Sequence, residues 1–150
     1  MAIVLVSFLL ALLGLILILF FQPNFIFDLV NSTIPEVAYF CKSNKPIIAL
    51  TIDDTPDADT TTLILNVLKQ NKIKATFFLI SSQILGNEKI VEAIVSDGHE
   101  LGNHMTEDKP SIKLSPKEFE EDLLKAHSVI SRFSETAWMR PASGWYLTVR

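Results

Sequence analysis

Between residues 47 and 139, short apolar segments alternate with segments whose apolar residues recur at helical spacing. The strand-like segments cover residues 47–52, 74–80, 99–103 and 137–139. The helix-like segments cover residues 60–70, a stripe of Ile90, Val91, Ile94 and Val95, and a stripe of Phe119, Leu123, Ala126 and Ile130. Strands that alternate with amphipathic helices pack as a parallel sheet or barrel, because each helix returns the chain to the same edge. The sequence therefore predicts an α/β fold built from β/α units.

Local signals mark the ends of two of these helices. Ser115, Pro116 and Glu118 form the pattern of a capping box with proline in the first turn, which predicts that the third helix begins there. Gly98 follows the apolar stripe of the second helix, at a position where a left-handed residue commonly ends a helix. Both signals agree with the boundaries that the apolar periodicity predicts.

The first 27 residues carry no Asp, Glu, Lys or Arg, and residues 3–21 are mostly Leu, Ile, Val and Phe. A helix of about 20 such residues is long enough to cross a bilayer. A cleavable signal peptide would normally add a basic start, a shorter apolar core and a small-residue cleavage site, and this segment has none of these features. We therefore favour a single uncleaved membrane helix, with residues 1–27 as an anchor and residues 28–44 as a linker.

All charged residues lie in residues 28–150, which hold 13 basic and 17 acidic residues and a net charge of −4. This part contains no cluster of Lys or Arg, so nucleic acid is not an expected partner. Cys41 is the single cysteine of the sequence and cannot form an intrachain disulfide. No pattern indicates an oligomeric state.

Polar residues follow three of the predicted strands. Asp53 and Asp54 come after the first strand, His104 after the third and Arg140 after the fourth. The carboxyl ends of parallel strands meet at one rim, where α/β enzymes place their active sites. Asp and His can hold Zn²⁺ or a similar ion for hydrolysis, while a second carboxylate acts as base and an arginine orients it. Backbone N–H groups in the turn at residues 141–144 would stabilise an oxyanion.

Three segments resemble the motifs of a known enzyme family. Residues 51–56, Thr-Ile-Asp-Asp-Thr-Pro, resemble the first motif of the polysaccharide deacetylases, T-F-D-D-G-P. Residues 98–104 and 140–145 are similar to the second and third motifs, in the same order and at fitting spacing. The resemblance to this family, also called NodB-homology proteins or carbohydrate esterase family 4, covers residues 45–150. It implies a deformed (β/α) barrel and metal-dependent removal of acetyl groups from N-acetylglucosamine units of chitin, peptidoglycan or related glycans.

The resemblance also implies a role for each matching residue. Asp53 matches the catalytic base, and Arg140 matches the residue that orients this base. Asp54 and His104 match two ligands of the metal ion.

One further position matches the family, and two depart from it. Ser143 falls where a backbone N–H completes the oxyanion site. Trp145, at the end of the third motif, is expected to lie in the core or to line the substrate groove. Met105 stands where a Ser or Thr normally braces the metal loop. Asp108 stands where the family has its second His; an Asp four residues after the first His can still bind the ion, and the alternative is a solvated turn residue. Zn²⁺ is the favoured ion, and the added carboxylate would better tolerate Co²⁺, Mn²⁺ or Fe²⁺.

Members of the family continue for several more β/α units, which carry a distal Asp and a general-acid His. We therefore expect about four strands of an incomplete barrel, with an open sheet edge. The alternative interpretation is a membrane-anchored glycan-binding pseudoenzyme or a gene fragment. Because glycan polymers lie outside the cell, the family favours an extracytoplasmic domain, whereas Lys42 and Lys45 weakly favour the cytoplasmic side.

Overall fold

The computed structural model describes residues 2–21, 24–33, 37–38, 41 and 43–144. The chain divides into two compact units, Met1–Ile47 and Ile48–Arg150. The first unit holds α1 (Ala2–Phe21) and α2 (Asn24–Thr33). The second unit holds the strands and helices that form the predicted β/α domain.

The first helix, α1, is apolar along its whole length. Its segment Ile3–Phe21 has a mean hydropathy of 3.2 and is not buried inside the structure. A helix of this size extends for about 30 Å, which is the thickness of the hydrocarbon core of a bilayer. Length and composition therefore fit a membrane-spanning helix, although a signal sequence near the N-terminus passes the same test. The helix α2 continues across residue 27, where the predicted anchor ends, so no change of secondary structure marks that boundary. The boundaries of the anchor and of the linker stay predictions.

The second unit is built around a parallel sheet. Its strands are β1 (Thr51–Thr55), β2 (Thr76–Leu79), β3 (Glu100–Asn103) and β4 (Trp138–Met139), which are hydrogen-bonded in the order β1-β2-β3-β4. The helices between them are α3 (Thr60–Asn71), α4 (Glu88–Ser96) and α5 (Pro116–Ile130). Short 3₁₀ turns lie at Ser81–Gln83, Ser111–Lys113 and Ala142–Gly144. Each pair of neighbouring strands is parallel, which confirms the predicted α/β fold of β/α units.

The first strand begins later than the apolar pattern predicts. The predicted strand covers residues 47–52, whereas β1 covers Thr51–Thr55. Its partner β2 begins at Thr76, which pairs with Thr51 and donates its N–H to the Leu50 carbonyl at 3.0 Å, so residues 47–49 lie outside the strand. Ile48 is consequently 94% exposed. The acidic pair therefore lies within β1 and not after it.

One face of the sheet packs against the three helices and forms the core. Phe77 and Leu79 of β2 are fully buried on this face, together with Leu101 of β3. The helices contribute Leu65, Leu68, Val91, Ile94, Ala126 and Ile130. Thr76 and Glu100 lie on the opposite face, where their side chains form a hydrogen bond of 2.7 Å. The helix-facing side of the sheet is therefore apolar, and the other side carries polar groups.

The predicted helix-end signals are confirmed. Ser115 Oγ accepts the N–H of Glu118 at 3.4 Å, and Glu118 Oε2 accepts the N–H of Ser115 at 2.8 Å, so the capping box forms. Pro116 is the first residue of α5. After α4, Gly98 has a φ of 76°, which is the left-handed conformation expected there.

Candidate active site

A break in the ladder of β1 shapes the first part of the site. The register of β1 against β2 shifts between Ile52 and Thr55, so the two acidic residues between them form a bulge. Asp54 has a φ of 59°, an uncommon left-handed conformation for a residue other than glycine. A bulge redirects side chains away from the regular alternation of a strand. As a result, the carboxylates of Asp53 and Asp54 contact different partners.

Arg140, which follows β4, contacts Asp53. Its Nη1 donates to Asp53 Oδ1 at 2.6 Å and to Thr51 Oγ1 at 3.1 Å. The guanidinium carbon lies 4.2 Å from the centre of the Phe78 ring, within the range of a cation–π interaction. The backbone N–H of Arg140 donates to the carbonyl of Asn103 at 2.9 Å. These contacts place a permanent positive charge in a fixed position against the Asp53 carboxylate.

His104 is held in a defined orientation at the end of β3. Its side chain is buried, and its backbone N–H donates to the carbonyl of Leu79 at 2.9 Å. Ring atom Nδ1 lies 2.7 Å from the carbonyl oxygen of Arg140, and since a carbonyl can only accept, Nδ1 carries the proton. Nε2 lies 3.3 Å from Asp54 Oδ1. A carbonyl partner at Nδ1 is the usual support of a histidine that binds a metal through Nε2.

The pair of Asp54 Oδ1 and His104 Nε2 has the donor chemistry of a divalent-metal site. A carboxylate oxygen and an imidazole nitrogen that face each other at 3.3 Å need either a proton on the nitrogen or a cation shared between them. The bond at Nδ1 leaves Nε2 available for a cation, and the Asp54 side chain is open to incoming ions because it is 60% exposed. Carboxylate and imidazole ligands suit Zn²⁺ and also Co²⁺, Mn²⁺ or Fe²⁺. These two residues therefore fit a metal ion as a partial ligand set.

The predicted third ligand, Asp108, lies in an exposed loop, between Glu107 and Lys109, which form an ion pair. Within the part of the chain that the structure describes, no three His, Cys, Asp or Glu side chains are grouped so as to hold a metal ion. The structure thus brings Asp54 and His104 together without adding Asp108 to them. Metal binding by Asp108 stays a prediction.

The turn after β4 contains the predicted oxyanion element. Ser143 lies in the 3₁₀ turn Ala142–Gly144 with a φ of 61°, and its side chain is exposed. The role of its backbone N–H in holding an oxyanion stays a prediction. Trp145, predicted to line the substrate groove, lies outside the described residues.

Sequence reasoning missed several residues that hold the site together. Phe78 lies against the Arg140 guanidinium, and its ring centre is 6.4 Å from the ring centre of His104. Gly102 faces Phe78 closely, since a Cβ atom at Gly102 would lie 2.6 Å from the ring. Asp122 on α5 bonds to the loop that follows His104. The alternation of β2 could have placed Phe78 on the polar face, whereas no local pattern points to Asp122.

Comparison with known proteins agrees with this geometry. Residues 41–148 of the chain match the polysaccharide deacetylase family. The chain belongs to this family. The resemblance inferred from the three motifs is thereby confirmed. Deacetylases of the family are generally metal-dependent, in agreement with the pairing of a carboxylate and an imidazole in this member.

Individual relatives of this chain also support its membership of the polysaccharide deacetylase family. The peptidoglycan-N-acetylglucosamine deacetylase of Bacillus cereus is 33% identical over 110 residues, which cover 73% of this chain and 52% of the relative. The crystal structure of the Bc1960 peptidoglycan N-acetylglucosamine deacetylase matches with a TM-score of 0.66 and 36% identity, covering 69% of this chain and 50% of that one. BA3943, a CE4 family pseudoenzyme from Bacillus anthracis, matches with a TM-score of 0.64 and 30% identity, covering 69% of this chain and 38% of that one.

These matches also define how much of the family fold is present. The chain spans about half or less of the length of the curated relatives that it matches. The solved neighbours are TIM-like barrels, and the described residues contribute four parallel strands with their helices. The predicted fold class, a partial (β/α) barrel of the NodB-homology type, is confirmed.

Proposed function

We propose that this domain is the metal-binding part of a deacetylase that hydrolyses N-acetyl groups on N-acetylglucosamine-containing glycans. Peptidoglycan is the favoured substrate, and chitin or its oligosaccharides are the related one. The observation that carries the proposal is the division of partners between adjacent carboxylates, Asp53 with Arg140 at 2.6 Å and Asp54 with His104 at 3.3 Å. Metal-assisted amide hydrolysis needs this separation of a base from a metal ligand. The relative from Bacillus cereus is named for the reaction on peptidoglycan.

In the proposed reaction, each residue of the site has one task. Asp54 and His104 would hold the cation, which when bound polarises the acetyl carbonyl and makes water easier to deprotonate. Asp53 accepts a proton from the attacking water, whose oxygen adds to the acetyl carbon. The bond between that carbon and the glycan nitrogen then breaks, acetate leaves, and the amine takes up the proton that Asp53 removed from the water. Arg140 keeps the Asp53 carboxylate oriented by a charge-assisted hydrogen bond, and the Ser143 N–H is proposed to stabilise the developing oxyanion.

Acetate release by the full chain in detergent tests this proposal. Peptidoglycan and chitooligosaccharides are supplied with Zn²⁺, Co²⁺, Mn²⁺ or Fe²⁺, and without metal. Asp53→Asn is expected to lower the rate about 10²- to 10⁴-fold, the usual contribution of a general base, and to leave metal binding nearly unchanged. The matched control is Glu121→Gln, which removes an exposed carboxylate that pairs with Lys117 on α5. Absence of turnover with every ion would show that this chain is not active by itself.

A glycan-binding protein without activity is the second candidate. Two observations favour it: no third ligand joins Asp54 and His104 among the described residues, and the similar protein BA3943 is a pseudoenzyme. Binding of chitooligosaccharides without acetate release under any metal condition would support this candidate. The variant Asp108→Ala tests whether the metal site has a third ligand. A loss of metal affinity in this variant would identify Asp108 as that ligand.

We also propose that residues 1–27 anchor the protein in a membrane, that residues 28–44 form a linker, and that residues 45–150 form a deacetylase domain outside the cytoplasm. The support is the uncharged apolar segment Ile3–Phe21 together with the location of polymeric glycans. Protease added to intact cells should therefore cleave the domain. Protection of the domain until the cells are lysed would place it in the cytoplasm instead.

A further inference from the structure

The loop after His104 adopts a conformation that its own residues disfavour. Met105 has a φ of 71°, in the left-handed region, although it is not glycine. Its side chain is buried, so the surrounding structure imposes this conformation. Contacts from outside the loop must therefore hold it in place.

Asp122 of α5 binds the loop at Thr106. Asp122 Oδ2 accepts the Thr106 N–H at 3.1 Å, and Asp122 Oδ1 accepts a hydrogen bond from the Thr106 hydroxyl. Thr106 is buried and Asp122 is half-buried. Hydrogen bonds to a carboxylate are among the stronger ones in proteins, because the acceptor is charged. One side chain of α5 thus fixes both the backbone and the side chain of the same loop residue.

Asn103 fastens the other end of the loop to the same helix. Its Oδ1 accepts the Met105 N–H at 2.8 Å, and its Nδ2 donates to the carbonyl of Leu123 at 3.0 Å. His104 lies between these two fastened positions, and its Nε2 is 3.3 Å from Asp54 Oδ1. A shift of either attachment therefore changes the direction in which Nε2 points.

We propose that Asp122 is a positioning residue for the metal ligand His104 and that it acts through Thr106. This inference rests on the proposed metal site of Asp54 and His104. It also explains how the chain tolerates Met105, which stands where the family normally has a Ser or Thr to brace the loop. In this chain the hydroxyl that braces the loop belongs to the next residue, and α5 supplies its acceptor.

Metal binding by the full chain in detergent provides the first test, with Zn²⁺ and Co²⁺ as the probes in calorimetry. Asp122→Ala is expected to raise the dissociation constant about 10- to 100-fold, as removal of a group that supports a metal ligand usually does. Asp122→Asn is expected to recover most of the affinity, because its amide can accept the Thr106 N–H and donate to the Thr106 hydroxyl oxygen. Glu121→Gln, on the neighbouring surface position that faces Lys117, should leave the affinity unchanged.

Amide hydrogen exchange provides the second test, which needs neither metal nor activity. Exchange at Met105 and Thr106 is expected to be at least about tenfold faster in Asp122→Ala, because local opening of the loop becomes easier. The core amides of β2 and β3 should keep their protection. Thr106→Val retains the N–H but loses the hydroxyl, so its loop should exchange at an intermediate rate.

The outcomes separate this inference from the proposed function. Wild-type metal affinity or wild-type loop exchange in Asp122→Ala overturns the positioning role. A wild-type chain that binds neither ion contradicts the proposed function. The exchange measurement then still tests whether Asp122 holds the loop through Thr106. Ile94→Val controls for general destabilisation, because it alters the core on α4 and should lower the melting temperature without changing metal affinity. If Asp122→Ala does not fold, Thr106→Val carries both measurements, and wild-type values of both in that variant overturn the positioning role.

Discussion

Replacing Gly102 with alanine is expected to displace the Phe78 ring and to destabilise the domain. Gly102 of β3 pairs with Phe78 of β2. A Cβ atom at Gly102 would lie 2.6 Å from Cδ1, 2.7 Å from Cε1 and 3.1 Å from Cγ of Phe78. Carbon atoms in contact normally stay about 3.5–4.0 Å apart, so the ring must move by about 1 Å. Phe78 is buried, and such a movement disturbs its neighbours.

The size of the effect follows from three contributions. Adding a methyl group to a packed interior costs about 1–3 kcal/mol. The ring also lies 4.2 Å from the Arg140 guanidinium, and loss of this contact at a partly exposed arginine adds about 0.5–1 kcal/mol. Alanine offsets about 0.5–1 kcal/mol, because glycine loses more backbone freedom on folding. The net loss is about 1–3 kcal/mol, which corresponds to a fall in melting temperature of about 4–12 °C for a domain of this size.

Thermal unfolding of the full chain in detergent measures this loss. Tryptophan fluorescence reports on the second unit, because both tryptophans, at positions 138 and 145, lie there. Gly14→Ala is the control for a glycine-to-alanine change, since a Cβ atom at Gly14 meets nothing within 4 Å. In the double variant of Gly102→Ala with Phe78→Leu, the smaller side chain leaves room for the methyl group, so the combined loss should be smaller than the sum of the two single losses.

Two results would refute this reasoning. A Gly102→Ala protein that melts within about 1 °C of wild type, a shift well below the expected one, would show that the ring is not packed against β3. Additive losses in the double variant would show that the two side chains do not interact.

Three further predictions concern single groups. Burial lowers the pKa of His99 from its usual 6.5, and its Nδ1 accepts the Ala75 N–H at 3.2 Å. The unfolding free energy should therefore fall as the pH drops below 6.5, where the unfolded chain binds more protons, and His99→Asn should flatten this dependence in urea titrations. Ser115→Ala removes the acceptor of the Glu118 N–H and should cost about 1 kcal/mol in urea unfolding, whereas Ser115→Thr keeps the hydroxyl and should cost little. Arg140→Lys keeps the charge but loses the planar donor group, so deacetylation should fall about tenfold or more with metal affinity retained. An unchanged curve or rate in any of these variants contradicts the corresponding prediction.

Much of the fold could be predicted because its signals are local. Helical spacing of apolar residues, the capping box at Ser115 and the left-handed Gly98 each depend on neighbours within a few residues, and the structure confirms them. The start of β1 could not be predicted in this way. It depends on where β2 begins, and the pairing of Thr51 with Thr76 leaves residues 47–49 outside the strand.

The candidate site likewise combines features that could be predicted from the sequence with features that could not. Parallel strands place their carboxyl ends at one rim, so the gathering of the polar residues there was predictable from the alternation of strands and helices. Which carboxylate meets Arg140 and which meets His104 was implied only by the family motifs, and the structure contains both contacts. Their catalytic roles are proposals. The bulge that directs the two carboxylates to different partners was not predictable, because it arises from a register shift against β2.

The sequence by itself thus determined the family, the order of β/α units and the rim of the sheet at which the polar residues lie. All three follow from motifs and from short-range periodicity. Tertiary structure alone decided how the site is held. Phe78 beneath Arg140 and Asp122 on Thr106 are contacts between residues on different elements. Which distant side chains meet depends on how helices and strands pack, and the same packing that buries the core brings α5 against the loop of His104.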